Sequence, residues 1–355
     1  MQKLEEQEYL RKALKIWGIN KKCIDDRIKD RIGIAPIEEL YEYYHKGANS
    51  NLIFNNDGRV DLEKMNFKKS MIDVNNSSKA YGWIIFPDLF TGILKNSLEN
   101  IERNNEDGEK ARYATLVSMI VARKLGIESA NYYITTNKID DKTKNELGYI
   151  YTPNFLKENE EFISGLHIVT NSIVMDEFRG DLNHLDMKRI EKALIIYLNN
   201  RRFNPEKIES VRRNLVKQCI VSKILGNKDE ANRNWGIVVS NNENQDEVIK
   251  RNVKMAPMYD LESCLQDKYI NELREMNGNV ELSEFINNYL KEEWFNEWIK
   301  DKVLNLDMSE VYKDTINESK INIPNNYQEE FNNKIKNSID EIKEAYNKEI
   351  KQEER

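Results

Sequence analysis

Long apolar runs are missing from this chain. Nowhere in the 355 residues do about 18 apolar residues follow one another, the length a membrane-spanning helix needs. The start, MQKLEEQEYLRKALKIW, is charged and lacks the apolar centre of an export signal. Cysteine is scarce. Cys23, Cys219 and Cys264 lie far apart, which excludes an even-numbered disulfide framework and fits a reducing cytoplasm. His45, His167 and His184 are as scattered, so no histidine metal site is expected. A basic excess is lacking too: 54 Lys and Arg are interleaved with 61 Asp and Glu, for a net charge of −7. Without a basic stripe, nucleic acid is not an expected partner; without a span, neither is a membrane. There are only six prolines, while Asn, Lys and Ile abound, a composition like that of an AT-rich bacterium. Internal repeats and long low-complexity segments are absent. What remains is a cytoplasmic, bacterial chain long enough for two domains or one large two-lobed unit.

Periodicity then divides what is present. Residues 3–31 place Leu10, Leu14 and Trp17 at helical spacing, and 36–46 predict a second short helix with Pro36 in its first turn. Turn signals and short β-like runs follow over 49–76, and YGWIIF, Tyr81 to Phe86, is the strongest early strand. Residues 108–125 predict a helix that Gly126 ends. Residues 131–136 and 148–152 predict two strands, which makes 50–152 a small α+β unit. Beyond Phe155 the pattern is helical: 186–199, 207–225, 283–304 and 327–350.

One segment breaks that helical pattern. Ile224–Cys264 reads as the end of a helix, a polar loop GNKDEANRNWG, a strand (Gly236–Val239), a polar turn, a strand (Val253–Met258) and then Asp260. Phosphoryl transfer needs a carboxylate to orient the acceptor hydroxyl, and oxygen donors that hold Mg²⁺ on the phosphates. Protein kinases supply these with Asp-x4-Asn in the catalytic loop and a later Asp. Asp229 and Asn234 have that spacing, and Asp260 lies past the hairpin. Oxygen ligands of these types suit Mg²⁺ rather than zinc. Asp-x4-Asn by itself is also what a solvated loop in an Asn-rich chain looks like. The conjunction with Gly226-Asn227, Trp235-Gly236 and Ala256–Asp260 favours the functional reading.

With GNKDEANRNWG and MAPMYDLESC as its motifs, the chain resembles the HipA-like serine/threonine kinases of bacteria over residues 70–310. Weaker echoes are ARKLGIESANYYI, a helix running into a strand, and GYIYTPNFLKENEEFISG, which resembles the hinge between lobes. The resemblance implies an α+β, two-lobed protein-kinase-like fold with a small mixed N-lobe and a larger, mainly helical C-lobe. The expected division is a helical extension (1–48), a small lobe (49–152) and a large lobe (153–355) carrying the hairpin 224–264. It implies Asp229 as catalytic base, Asn234 and Asp260 as magnesium ligands, and Tyr151, Thr152 and Asn227 as nucleotide-binding residues. The implied cofactors are ATP and Mg²⁺. The implied partners are a protein substrate bearing a Ser or Thr hydroxyl, with an antitoxin-like or regulatory protein as a further expectation.

Two positions depart from the pattern. Such kinases carry a lysine for the ATP phosphates and a glutamate on the next helix to pair with it. Matching YGWIIF to the lysine strand puts Ile85 at the lysine, and matching YATLVSMIVARKLGI puts Thr115 at the glutamate. Joint loss is coherent, since a lone buried carboxylate is costly. Four readings follow. Lys79, with Ser77 and Ser78 as a phosphate-binding loop, substitutes for the lost cation; or catalysis persists at a reduced rate; or the chain is a pseudokinase or nucleotide-binding scaffold; or it is a helical interaction module without activity.

Overall fold

The structure, a computed structural model, describes residues 52–61, 64, 68–69, 80–86, 89–96, 105–136, 138–139, 146–153, 155–156, 160–172, 187–227, 234–242, 250–265, 273–275, 278–280 and 282–353. The expected helices 3–31 and 36–46 lie outside these residues, as do Ser77, Ser78, Lys79 and Asp229.

A five-stranded antiparallel sheet forms the first half. Its strands are β1 (Lys68–Lys69), β2 (Ala80–Phe86), β3 (Leu89–Asn96), β4 (Tyr133–Ile134) and β7 (Tyr149–Pro153), in the order β1-β2-β3-β7-β4. The short pair β5 (Lys138–Ile139) and β6 (Glu146–Leu147) stands apart. β2 and β3 are a hairpin with Phe86 opposite Leu89. The sequence pattern does not predict β3: LFTGILKN mixes polar with apolar residues and is overshadowed by YGWIIF.

From β3 the chain runs on to helix α1 (Asn105–Lys124). Every residue of α1 from Ala111 to Ala122 is buried. Arg112, Thr115 and Ser118 are buried along with the apolar residues, so the helix is packed on every side. Gly126 ends it at φ 79°, with Gly126 N–H on the Arg123 carbonyl (2.9 Å) and Ile127 N–H on the Ala122 carbonyl (2.9 Å). The left-handed turn suits glycine, which has no Cβ to clash.

The second half is mainly helical: α2 (Gly165–Ser172), α3 (Met187–Asn200), α4 (Pro205–Leu225), α5 (Leu282–Tyr289), α6 (Glu293–Trp298), α7 (Met308–Ser319) and α8 (Asn325–Glu353). A second antiparallel sheet sits among them, in the order β10 (Lys250–Met255), β9 (Gly236–Asn242), β8 (Glu160–Ser164). A short ribbon of β11 (Leu273–Glu275) and β12 (Gly278–Val280) follows. α4 starts as its sequence dictates: Asn204 caps Glu206 N–H at 2.8 Å and Pro205 opens the first turn.

The expected helix 283–304 is three pieces, α5, α6 and a π-helical turn Ile299–Val303. The break has a local cause. Glu292 bonds Arg212 of α4 and Trp294 Nε1, and the Asn296 amide takes the Leu290 carbonyl that a continuous helix would have used. α7 is a further addition to the expected helices. Its signal is Asp307, whose carboxylate caps Ser309 N–H at 2.8 Å.

α7 and α8 close over α1. Lys124 pairs with Asp314 of α7 (2.6 Å), Arg123 with Glu318 of α7, and Lys110 with Glu330 of α8. Trp298 Nε1 donates to the Leu125 carbonyl at 2.7 Å. Tyr113 and Tyr327 lie with ring centroids 5.7 Å apart. One continuous apolar cluster therefore runs from Tyr113 to Tyr346.

Candidate active site

The site is built where α4 ends. Gly226 adopts φ 57°, and its N–H meets the Lys223 carbonyl at 3.1 Å, while Asn227 N–H reaches the Ser222 carbonyl at 2.9 Å. This closes the last helical turn and sends the chain sideways into the polar loop. The chain returns at Asn234, which is half-buried, then Trp235 and Gly236 enter β9.

Trp235-Gly236 is explained by packing. Gly165 N–H donates to the Trp235 carbonyl at 2.7 Å, and a Cβ on Gly165 would stand 2.1 Å from the indole. A Cβ on Gly236 would stand 2.4 Å from the Ile163 carbonyl oxygen and 2.5 Å from the Phe162 ring. These residues seat β9 against β8 and α2. β8 lies within the hinge-like stretch of the sequence, and it makes the hairpin a sheet of three strands.

β9 and β10 pair in register from Ile237↔Met255 to Asn242↔Lys250. Ala256 N–H continues the ladder to the Gly236 carbonyl at 2.9 Å, and Gln218 of α4 holds the Ala256 carbonyl at 3.0 Å. Asn234 and Asp260 thus flank the same open end of the hairpin, one just before β9 and one just after β10. The strand extension is also tied to the first half of the chain: Met258 N–H donates to Glu128 and Ala130 N–H to Met258, each at 2.8 Å.

Asp260 has φ 60° and ψ 44°, a left-handed conformation unusual for a side-chain-bearing residue. It begins a 3₁₀ turn, Leu261–Ser263, and Leu265 at φ 56° ends the excursion. The turn is fixed on the α4 loop twice. Ser263 Oγ donates to Asn227 Oδ1 at 2.5 Å, and Leu265 N–H to the Leu225 carbonyl at 2.7 Å. Tyr132 accepts Leu261 N–H at 3.4 Å. Burial raises the Tyr132 hydroxyl well above its ordinary pKa, and the charges of Glu262 and Asp260 raise it further. Burial and Asp260 do the same to Tyr259, whose ring lies 5.7–6.0 Å from Phe162 and Phe155. Two neutral phenols therefore border the carboxylate. The structure joins Asn227 to the Asp260 turn and places Asn234 at the same end of the hairpin.

Across the first sheet, Tyr151 is fully buried, its ring 6.4 Å from Tyr133, and burial pushes its hydroxyl pKa upward. Thr152 is half-buried, with a buried Oγ1 that has no hydrogen-bond partner among the described residues. Thr115 is fully buried and its hydroxyl turns back on the Ala111 carbonyl at 2.8 Å. It offers no group to a distant cation. The buried charge one turn earlier on α1 is Arg112, whose guanidinium lies over Gly148.

The lysine strand needs correcting. Ile85 is on β2 opposite Lys68 of β1, and β3 intervenes between it and β7. The strand that leads into α1, and lies beside β7, is β3. It carries Lys95, in register with Ile150 of β7 and Ala80 of β2. In kinases the phosphate lysine sits on the strand before the helix. Lys95 occupies that strand here.

Comparison with solved structures decides the architecture. The crystal structure of a Helicobacter pylori proinflammatory kinase, CtkA, superimposes over 83% of this chain and 99% of its own, with a TM-score of 0.53 and 13% identity. The fold is kinase-like. A Shewanella oneidensis MR-1 HipA, solved with HipB and operator DNA of its toxin–antitoxin system, covers 93% of this chain and 73% of its own (TM-score 0.43, 12% identity). No family model matches the sequence, and no curated protein matches it significantly. In the kinase-like frame, the sheet β1-β2-β3-β7-β4 with α1 is the small lobe and the helical half is the large one. Among the described residues no helix is long and apolar enough to cross a membrane.

Proposed function

We propose that this kinase-like chain is an ATP- and Mg²⁺-dependent phosphotransferase that passes the γ-phosphate to a protein Ser or Thr hydroxyl. The observation that carries the reading is the Asp260 turn, strained into a left-handed backbone and fastened to the end of α4 through Asn227 and Leu225. Backbone strain of this kind, about 1–3 kcal/mol, persists where the surroundings enforce it, and it gathers at functional sites.

The donor set fits the cofactors. Asn234 and Asp260 offer the hard oxygens that magnesium takes. Among the described residues no group of three or more His, Cys, Asp or Glu gathers as a self-sufficient metal cage. The buried Thr152 hydroxyl suits a purine edge. In this reading Asp229 orients the acceptor hydroxyl and takes its proton, Asn234 and Asp260 hold magnesium, and Lys95 draws the phosphates into line. Asn227 acts by fastening the loop. Tyr151 serves as core beneath the nucleotide. Bound magnesium supplies neutralisation of the phosphate charge. Lys79 with Ser77 and Ser78 is the alternative phosphate clamp. An antitoxin-like or regulatory partner belongs to the same proposal.

A second reading, a nucleotide-binding scaffold without turnover, draws on Thr115, since α1 carries no acid there to hold a lysine. Transfer of label from γ-labelled ATP separates the two. The parent should label a protein acceptor or itself, Asp229→Ala should abolish labelling, and Lys95→Met should slow it roughly ten- to a few-hundred-fold, as loss of a charge-assisted hydrogen bond implies. Equal labelling by parent and Asp229→Ala sinks the assignment. A parent that binds ATP with magnesium but never labels supports the scaffold.

A further inference from the structure

The C-terminal helix carries one polar stripe that lies behind the candidate site. Glu330, Lys334, Ser338 and Glu341 lie at positions i, i+4, i+8 and i+11 of α8, along one face. Each charged member reaches a different part of the site's support. Glu330 pairs with Lys110 of α1. Lys334 Nζ pairs with Glu330 at 2.6 Å and donates to the Leu265 carbonyl at 2.8 Å. Glu341 pairs with Lys223, in the last turn of α4, at 2.7 Å. The lysine ends of these contacts are sheltered: the side chains of Lys110, Lys334 and Lys223 are 18%, 13% and 3% exposed.

The contact at Leu265 has mechanical meaning. Leu265 sits at φ 56°, the far end of the strained turn that starts at Asp260. Its N–H is held by the Leu225 carbonyl and its carbonyl by Lys334. The residue is therefore tied on both sides, once to the α4 end and once to α8. A kinase ordinarily joins its small-lobe helix to the site through an acid on that helix. Thr115 has its hydroxyl closed on Ala111 and makes no such link. The chain Lys110, Glu330, Lys334, Leu265 spans the same two parts by another route.

We infer that Glu330 and Lys334 are positioning residues: through Lys110 and the Leu265 carbonyl they couple α1 to the Asp260 turn and hold that turn in its strained form. Burial opposes ionisation of Glu330, yet hydrogen bonds from Lys110 and Lys334 leave its pKa below the ordinary value, so the link is ionic at neutral pH. The magnesium arm of the inference rests on the phosphotransferase reading; the coupling itself does not.

The test uses the full chain with Lys334→Met, Lys334→Arg and Glu330→Gln. Amide hydrogen exchange is followed in peptides covering 258–265 and 105–124. Lys334→Met should speed exchange in 258–265 about tenfold, Lys334→Arg should restore it, and Glu330→Gln should loosen both peptides. The Mg²⁺ concentration giving half of the ATP-induced rise in Tm should increase about tenfold in Lys334→Met, the usual scale for supports behind metal ligands. Exchange at 258–265 equal to the parent's overturns the inference, and loosened exchange with unchanged magnesium dependence overturns its magnesium arm. If Lys334→Met does not fold, Glu330→Gln and Lys334→Arg decide by the same measures. A parent that shows no shift with ATP and magnesium defeats the phosphotransferase reading alone, and the exchange measurement then decides the coupling.

Discussion

Asp260 holds a backbone shape that glycine adopts freely and other residues adopt at a cost of roughly 1–2 kcal/mol. A protein selected for stability alone has reason to place glycine there. The prediction compares two variants. Asp260→Gly should be more stable than Asp260→Ala by about 1 kcal/mol, because only glycine relieves the strain; thermal unfolding measures this. Both should lose the magnesium-dependent part of the ATP shift. An alanine variant as stable as the glycine variant would show that the turn is unstrained. At this scale the sequence is informative about chemistry and poor about mechanics. Asn234 and Asp260 stand out in the sequence as candidates because an amide and a later acid match the needs of a proposed reaction. The torsion of Asp260, the closure of Thr115 on Ala111 and the buried Thr152 hydroxyl depend on how the folded backbone places them.

Elements explain what the motif alone leaves ambiguous. Gly236 belongs to the same short motif as Asn234, but its role is to let β8 approach β9. Gly236→Ala should destabilise the chain by roughly 1–3 kcal/mol, since the backbone carbonyl of Ile163 cannot rotate away as a side chain would; urea unfolding checks it. Helices with strong periodicity, such as α4 with its Asn204 cap and Gly226 stop, are readable in the sequence. β3 is not, because a neighbouring strand of greater apolar content draws the lysine assignment to Ile85. The break between α5 and α6 is hidden for a similar reason. Nothing near 290 breaks a helix by itself; the pull comes from Arg212, far away in the chain.

For the whole molecule, charge links decide behaviour in acid. Arg212 is 13% exposed and joins Glu209, Glu191 and Glu292, binding α4 to α3 and to the start of α6. Hydrogen bonds from Arg212 and then Arg213 outweigh burial and hold the Glu209 pKa at about 2. A depressed folded pKa stabilises above the unfolded value, near 4.5, and that contribution is lost as pH falls through the folded one. Glu209→Gln should therefore be less stable than the parent at pH 7. The gap should close between pH 4.5 and about 2, and salt should narrow it because Glu209 is partly exposed. Tm against pH for both proteins measures this. A gap that stays constant down to pH 2 would exclude Glu209 as the titrating group.

The burial of α1 on every side has a consequence for synthesis. Many of its partners, Trp298, Asp314, Glu318, Tyr327 and Glu330, come from the last part of the chain, while Arg59 and Gly148 lie much closer in sequence. A ribosome therefore releases this helix well before making part of what covers it. Contacts of such sequence separation form slowly, and uncovered apolar surface aggregates while it waits. The C-terminal part of that cover arrives about 200 residues of translation later, on the order of 10–40 s at ordinary rates, so the contacts of α1 with α7 and α8 close last.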